Sequence, residues 1–250
     1  LKFIEHQNIR EQGLSSNFFF NIYDLKNVNN FNIFPLAYKP DTFIISCLGD
    51  DELRIGKTDK NGFFNKNEYY KNADTILLGD SYVAGQCVNE NYQINTILNK
   101  DNIKFLSYGL PGSSILKQYA VLKEYISEIE TKNILLFVLL DNDFKEIIAE
   151  YKNPFLKKYL EVGYSQNLNK KNDTIKIIYE KLNNEFINEL KSNDFIEENF
   201  KYIKYSFFNY KELVTLYNIR KVLGINKTTI INYNGLNLYI ETLKKMHDFL

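Results

Sequence analysis

Three residues of this chain have the types and positions that acyl transfer needs: Ser81, Gly112 and Asn142. Ser81 follows Gly79-Asp80 at the end of an apolar run. Gly112 closes Gly109-Leu110-Pro111-Gly112, and Asn142 lies within Asp141-Asn142-Asp143. A serine hydroxyl becomes a nucleophile once a base takes its proton. The oxyanion that then develops needs two or three N–H donors fixed in advance. The backbone N–H of Ser81, the unobstructed N–H of Gly112 and the side-chain amide of Asn142 are donors of that kind. Position 83 is valine, so Ser81 is not in a Gly-x-Ser-x-Gly elbow, which argues against an α/β-hydrolase. No base accompanies the set. The two histidines are His6, ahead of the first core strand, and His247, which reads as a half-buried residue of a helical stripe.

The positioning elements can be read from hydrophobic pattern. Thr75 to Leu78 is a short continuous apolar run ended by Gly79-Asp80, as in a buried parallel strand. Ile94, Ile97 and Leu98 then recur at helical spacing. Ile103 to Tyr108 is a second strand. Ser113 and Ser114 are suited to cap a helix running through Leu116, Tyr119, Leu122, Tyr125, Ile126 and Ile129. Ile134 to Leu140 is a third strand. Strands alternating with helices at this spacing predict an α/β fold on a parallel sheet with right-handed crossovers. Ligands bind beyond the carboxyl ends of such strands, which is where all three candidate loops emerge.

Around this core, residues 1–71 form an N-terminal extension. Within it Asp41 to Cys47 and Glu52 to Lys57 predict a short hairpin across Gly49-Asp50-Asp51. The core itself spans 72–164. A charged, helix-periodic stretch, with Ile175, Ile178, Leu182, Phe186 and Leu190 on one face, makes 165–225 a helical insertion or lid. Residues 226–250 return toward the core through a weak strand at Thr228 to Tyr233 and a helical stripe from Leu236 to Leu250. The chain starts at Leu1 and ends within that stripe. The expectation is that sequence lies beyond both ends.

Composition excludes several classes. Acidic and basic residues balance at 31 each and no dense basic run occurs, which disfavours nucleic acid as a partner. The longest apolar run, Ile134 to Leu140, is far short of the ~20 residues of a membrane span. Cys47 and Cys87 are the only cysteines. They read either as two buried thiols or as one disulfide closing a long loop in an oxidising compartment.

The segment Ile76-Leu77-Leu78-Gly79-Asp80-Ser81-Tyr82-Val83-Ala84-Gly85 resembles the first block of the SGNH (GDSL-type) hydrolases. Gly112 matches the second-block glycine, and Asn142-Asp143 the third-block Asn-Asp. The resemblance runs from about Asn61-Gly62-Phe63 to about Leu160. It is closest to bacterial SGNH proteins with an N-terminal extension and a long insertion after the third block, where cysteines flanking the nucleophile are also familiar. It implies a three-layer, flavodoxin-like αβα fold and a serine ester hydrolase. In that reading Ser81 is the nucleophile, Ser81, Gly112 and Asn142 form the oxyanion hole, and Gly79, Asp80 and Asp143 support them. The substrate would be an O-acyl ester, an acetylated carbohydrate being one such compound. No metal or organic cofactor is required, and the site would be extracytoplasmic or anchored facing the periplasm, with a cytoplasmic site as the alternative. Two departures are plain. The residue before Asn142 is Asp141 where the family has glycine, and the family's Asp-x-x-His loop is not in this sequence. An O-acyltransferase and a non-catalytic glycan- or protein-binding module are the alternatives.

Overall fold

The computed structural model describes residues 32–48, 53–99, 104–126, 129–139, 142–191 and 233–250. The described residues fall in two compact units, one of residues 32–178 with 233–250 and one of residues 179–191. The first unit carries every element discussed below except the far half of one helix.

At the centre of the first unit, β3 (Thr75–Leu78) lies between β4 (Phe105–Ser107) and β5 (Asn133–Leu136), parallel to both. All four β3 residues are buried, as a strand covered on both faces requires. The three strands expected to be parallel neighbours are so. The coarse α/β class therefore holds, although β4 and β5 are shorter than the apolar runs that announced them. The predicted hairpin is also present. β1 (Phe43–Leu48) and β2 (Leu53–Lys57) pair antiparallel, with a register shift between Ile45 and Cys47. The Gly49-Asp50-Asp51 turn lies outside the described residues.

β4 is one edge of this three-stranded sheet, and two asparagine side chains cover it. Asn99 Nδ2 donates to the Phe105 carbonyl at 2.7 Å while its Oδ1 accepts from Phe105 N at 2.8 Å. Two residues on, Asn65 Nδ2 donates to the Ser107 carbonyl at 2.9 Å and its Oδ1 accepts from Ser107 N at 2.8 Å. A carboxamide has the donor and acceptor of a peptide group. Each side chain thus satisfies one outward-facing residue of the strand, and the edge is closed to further pairing.

Asn65 is held in turn by the N-terminal extension. The Asp59 carboxylate accepts from Asn61 N, Phe63 N, Asn65 Nδ2 and Tyr70 OH at 2.8–3.0 Å. Phe63 inserts edge-on against Tyr108 and Tyr125, with ring centroids at 4.6 and 5.3 Å. The extension is therefore part of the core packing. Burial raises the Asp59 carboxyl to about 6, against four hydrogen bonds that favour its ionised form. A carboxyl whose folded pKa lies above its unfolded value of about 3.9 stabilises the fold fully below that value. That stabilisation is lost as pH rises through the folded pKa. Asp143, held up at about 7 by burial and then by Asp80 and Glu146, acts in the same direction. The melting temperature is therefore expected to be higher at pH 5 than at pH 8, with Asp59 alone contributing about 1.4 kcal/mol of the difference, since part of its effect is already lost by pH 5. Calorimetry across that range checks it; a melting temperature that climbs with pH would show these carboxyls to be ionised in the fold.

Helices complete the unit. α1 (Ser81–Ala84) follows β3, α2 (Ile94–Leu98) precedes β4, and α3 (Ile115–Val121) follows β4, running into a π-helical turn at Leu122–Ile126. α4 (Asp143–Lys152) and α5 (Pro154–Lys158) follow β5. Glu124, in the π turn, accepts from Tyr159 OH, Ser165 Oγ, Gln166 N and Leu168 N, and so fixes the chain from 159 to 168 against α3. α6 (Asn172–Lys191) begins at the expected position, with Ile175 and Ile178 buried. The helical pattern predicted beyond Lys191 lies outside the described residues.

The last helix, α7 (Tyr233–Phe249), packs on α4 and α3. Tyr239 meets Phe144 edge-on, Phe249 meets Tyr119, and Thr242 shares a 2.9 Å hydrogen bond with Tyr151. Gly235 lies so close to the Phe144 carbonyl that no side chain fits between the helices. Of the strand expected at Thr228 to Tyr233, only Tyr233 is described. It starts this helix, so the expected strand does not include its last residue.

Candidate active site

Ser81 is the first residue of α1, three positions beyond the end of β3. Asp80 makes that sharp entry possible. As N-cap its Oδ1 accepts from Tyr82 N at 3.0 Å, a standard way to satisfy a helix's first N–H groups. Gly85, with φ of 67°, ends the helix after one turn. Ser81 is part-exposed and Tyr82 is 75% exposed, so the turn faces outward. The Ser81 hydroxyl has no hydrogen-bond partner among the described residues.

Hydrogen bonds lock the three candidate loops together. The Gly79 carbonyl accepts from Leu110 N at 3.1 Å and from Ser113 Oγ at 3.0 Å, joining the first loop to the second. Ser114 Oγ donates to the Asp143 carbonyl at 2.8 Å, joining the second to the third. Phe137 N donates to the Leu78 carbonyl at 2.8 Å, extending the β3–β5 ladder toward the third loop. Ser81, Gly112 and Asn142 thus stand on one cross-linked set of loops at the carboxyl edge of the sheet.

Ser114 occupies the N-cap of α3 but makes no side-chain cap. Its hydroxyl is committed to Asp143, and the capping predicted for Ser113 and Ser114 falls to Glu150 on α4 instead. Glu150 Oε1 accepts from Ser114 N at 2.6 Å, and its Oε2 accepts from Leu116 N and Lys117 N, both at 3.1 Å. Glu150 and Lys117 are both buried. Burial pushes the carboxyl up and the ammonium down, and each opposes the other's shift by attraction.

Gly109 and Gly112 have different duties. A Cβ on Gly109 would lie 2.5 Å from the Val83 carbonyl carbon and against Ala84 N, so only glycine lets the second loop reach α1. Gly112 has open space around it, and its φ of 61° is what favours glycine. Gly109→Ala is expected to cost about 2–3 kcal/mol, because the α1 backbone must move. Gly112→Ala should cost about 1 kcal/mol, from the left-handed conformation alone. Urea unfolding of the two variants checks the order, and equal losses would show that Gly109 is not the tight contact.

Asn142 Nδ2 donates to Glu146 Oε1 at 3.3 Å, which leaves its second N–H uncommitted, while its Oδ1 is buried without a partner. Asp143 is fully buried, and its Oδ2 accepts from Leu139 N at 2.9 Å. Glu146 is raised by burial and then by Asp80. Residues 143, 146 and 150 follow helical spacing on α4, so this inward acidic stripe was open to sequence reading, which passed over it. Among the described residues no group of three or more His, Cys, Asp or Glu could hold a metal ion. Asp141 and His6 lie outside the described residues. His247 is 89% exposed on α7, 3.5 Å from Asp248 Oδ1. It is a surface residue, more exposed than the half-buried position its stripe suggests.

No cysteine is free. Cys87, a few residues after α1, is disulfide-bonded, and the chain's other cysteine is Cys47. Of the two readings of the cysteines, the disulfide holds. Two clefts, one beside Asp59 and Gln93 and one beside Tyr119 and Lys245, are formed by other residues than Ser81.

Together these elements define a mixed α/β protein whose three-stranded parallel sheet presents a serine, a glycine turn and an Asn-Asp pair on linked loops. No family model, curated protein or solved structure matches the chain.

Proposed function

We propose that this protein is an SGNH-type serine ester hydrolase acting on an O-acyl ester, with Ser81 as nucleophile. The observation that carries the reading is the cross-linking of the three loops through Gly79, Ser113, Ser114 and Asp143. Such bonds hold a nucleophile and N–H donors in place before substrate arrives, which is the requirement for oxyanion stabilisation. Ser81 Oγ attacks the acyl carbon and its proton passes to a base. The Ser81 N–H, the Gly112 N–H and the free N–H of Asn142 take the oxyanion. The alcohol leaves with the proton, and water then releases the acyl group from Ser81. Acyl transfer to a second alcohol uses the same first half, so the acyltransferase reading shares this site. The disulfide at Cys87 supports an extracytoplasmic setting, where such bonds persist.

A second reading, a non-catalytic SGNH-type binding module, is favoured by one observation. Among the described residues no base hydrogen-bonds to Ser81. A fluorophosphonate probe separates the two. An enzyme of either kind acquires a stoichiometric adduct that maps to Ser81 by mass spectrometry, whereas a binding module acquires none.

A further inference from the structure

The cleft between the β2 end and α2 has a feature that the fold does not explain. Gln93 is the N-cap residue of α2, yet its side chain makes no cap. It is 5% exposed, lines the cleft, and its carboxamide has no hydrogen-bond partner among the described residues. Its amide atoms are not sealed off and so stay open to the cleft. Its neighbour Asn95, 4% exposed, spends its Nδ2 on the Phe64 carbonyl at 2.8 Å and on Asn65 Oδ1 at 3.2 Å, while its own Oδ1 stays unpaired among the described residues. Two nearly buried amides therefore offer the cleft a donor pair and two acceptor oxygens.

The remaining lining narrows the ligand. Phe64 contributes an apolar ring, Lys57, Lys66 and Glu90 contribute charges of both signs, and Thr96 adds a hydroxyl. The Asp59 carboxylate beneath is saturated by its own four hydrogen bonds. The charges nearly balance, which argues against phosphate or another strong anion. The volume of about 220 Å³ is below the roughly 300–1,000 Å³ of drug-sized pockets. It suits a single ring rather than an extended peptide. A sugar is a small ring that both donates and accepts hydrogen bonds and has an apolar face.

We infer that this cleft binds one monosaccharide unit, with the Gln93 carboxamide as its principal hydrogen-bonding group and Asn95 Oδ1 as its second. The inference stands on the cleft and does not need Ser81 to be a nucleophile. The two places are nonetheless adjacent. A Cβ on Gly85 would lie 2.7 Å from Gln93 Cγ, so Gln93 packs on the residue that ends the helix Ser81 begins.

Saturation-transfer NMR and titration with the methyl glycosides of glucose, galactose, mannose and N-acetylglucosamine, on the intact chain, test this. At least one should bind in the millimolar range. Gln93→Met keeps the side chain's length without its hydrogen bonds. It should weaken that binding at least about tenfold while the melting temperature holds, because the Gln93 carboxamide makes no hydrogen bond among the described residues. Ser81→Ala should bind as well as the unaltered protein, so an inert Ser81 leaves this result standing. Absence of binding to all four glycosides, or binding unchanged in Gln93→Met, overturns the assignment. A Gln93→Met chain whose melting temperature falls sharply shows that the amide serves the fold, and overturns it as well.

Discussion

Ser81→Ala is expected to abolish fluorophosphonate labelling and acyl-enzyme formation, leaving no more ester turnover than the oxyanion hole and binding alone support, with no change in melting temperature. The hydroxyl is part-exposed and makes no hydrogen bond among the described residues, so its removal disturbs no internal contact. Chemically it is the whole first step, because without it no acyl-enzyme forms. The unaltered 250-residue chain should itself be slow on p-nitrophenyl acetate. Almost no serine is ionised at neutral pH without a base. An oxyanion hole and binding alone leave only about 10³–10⁴-fold acceleration over water. At about 1.36 kcal/mol for each factor of ten, that is roughly 4–5 kcal/mol of barrier lowering, and Ser81→Ala removes its covalent route. His247→Ala is expected to change nothing, since His247 is exposed and faces Asp248. Loss of activity in His247→Ala would instead identify it as the base. A covalent acyl-enzyme that still forms in Ser81→Ala would place the chemistry elsewhere in the chain.

The second large effect is on stability. Glu150→Ala is expected to cost about 3–5 kcal/mol, a substantial part of the 5–15 kcal/mol that holds a typical domain together. Three buried N–H groups at the start of α3 lose their acceptor at once, and the buried Lys117 ammonium loses the opposing charge on α4. Each unpaired backbone donor costs about 1–3 kcal/mol, and local relaxation recovers part of the sum. Glu150→Gln keeps one acceptor oxygen and turns an N–H₂ toward the other donors, so an intermediate loss is expected. Urea unfolding at neutral pH measures both. The consequence reaches Ser81, because the segment Glu150 caps also carries Ser113 and Ser114, which tie the second loop to the first and third. A Glu150→Ala protein that still folds should therefore label more slowly at Ser81. If Glu150→Ala unfolds no more easily than Glu150→Gln, the cap is not what holds α3.

What the sequence determined by itself was local and periodic. A continuous apolar run such as Thr75 to Leu78 reports burial on both faces, and the Gly-Asp pair after it reports where the chain must turn. From three such runs the parallel sheet and the edge where Ser81, Gly112 and Asn142 emerge could be inferred, and from residues 41–47 and 52–57 the hairpin ahead of the sheet. Tertiary structure decided which polar side chains meet. No periodic pattern marks Asp59, Asn65, Asn99 or Glu124, because burial of a polar group depends on partners far along the chain. Asn65 pairs with Ser107, 42 positions away, and Glu150 with Ser114, 36 positions away. Neither distance leaves a periodic trace. Ser114 shows how the inference went astray: its type and position suit a cap, but a carboxylate from another helix takes the backbone N–H and its hydroxyl turns to Asp143. Gly109 shows the same limit, since only the approach of the Val83 and Ala84 backbone distinguishes a glycine that packing requires from Gly112, which an open turn merely favours.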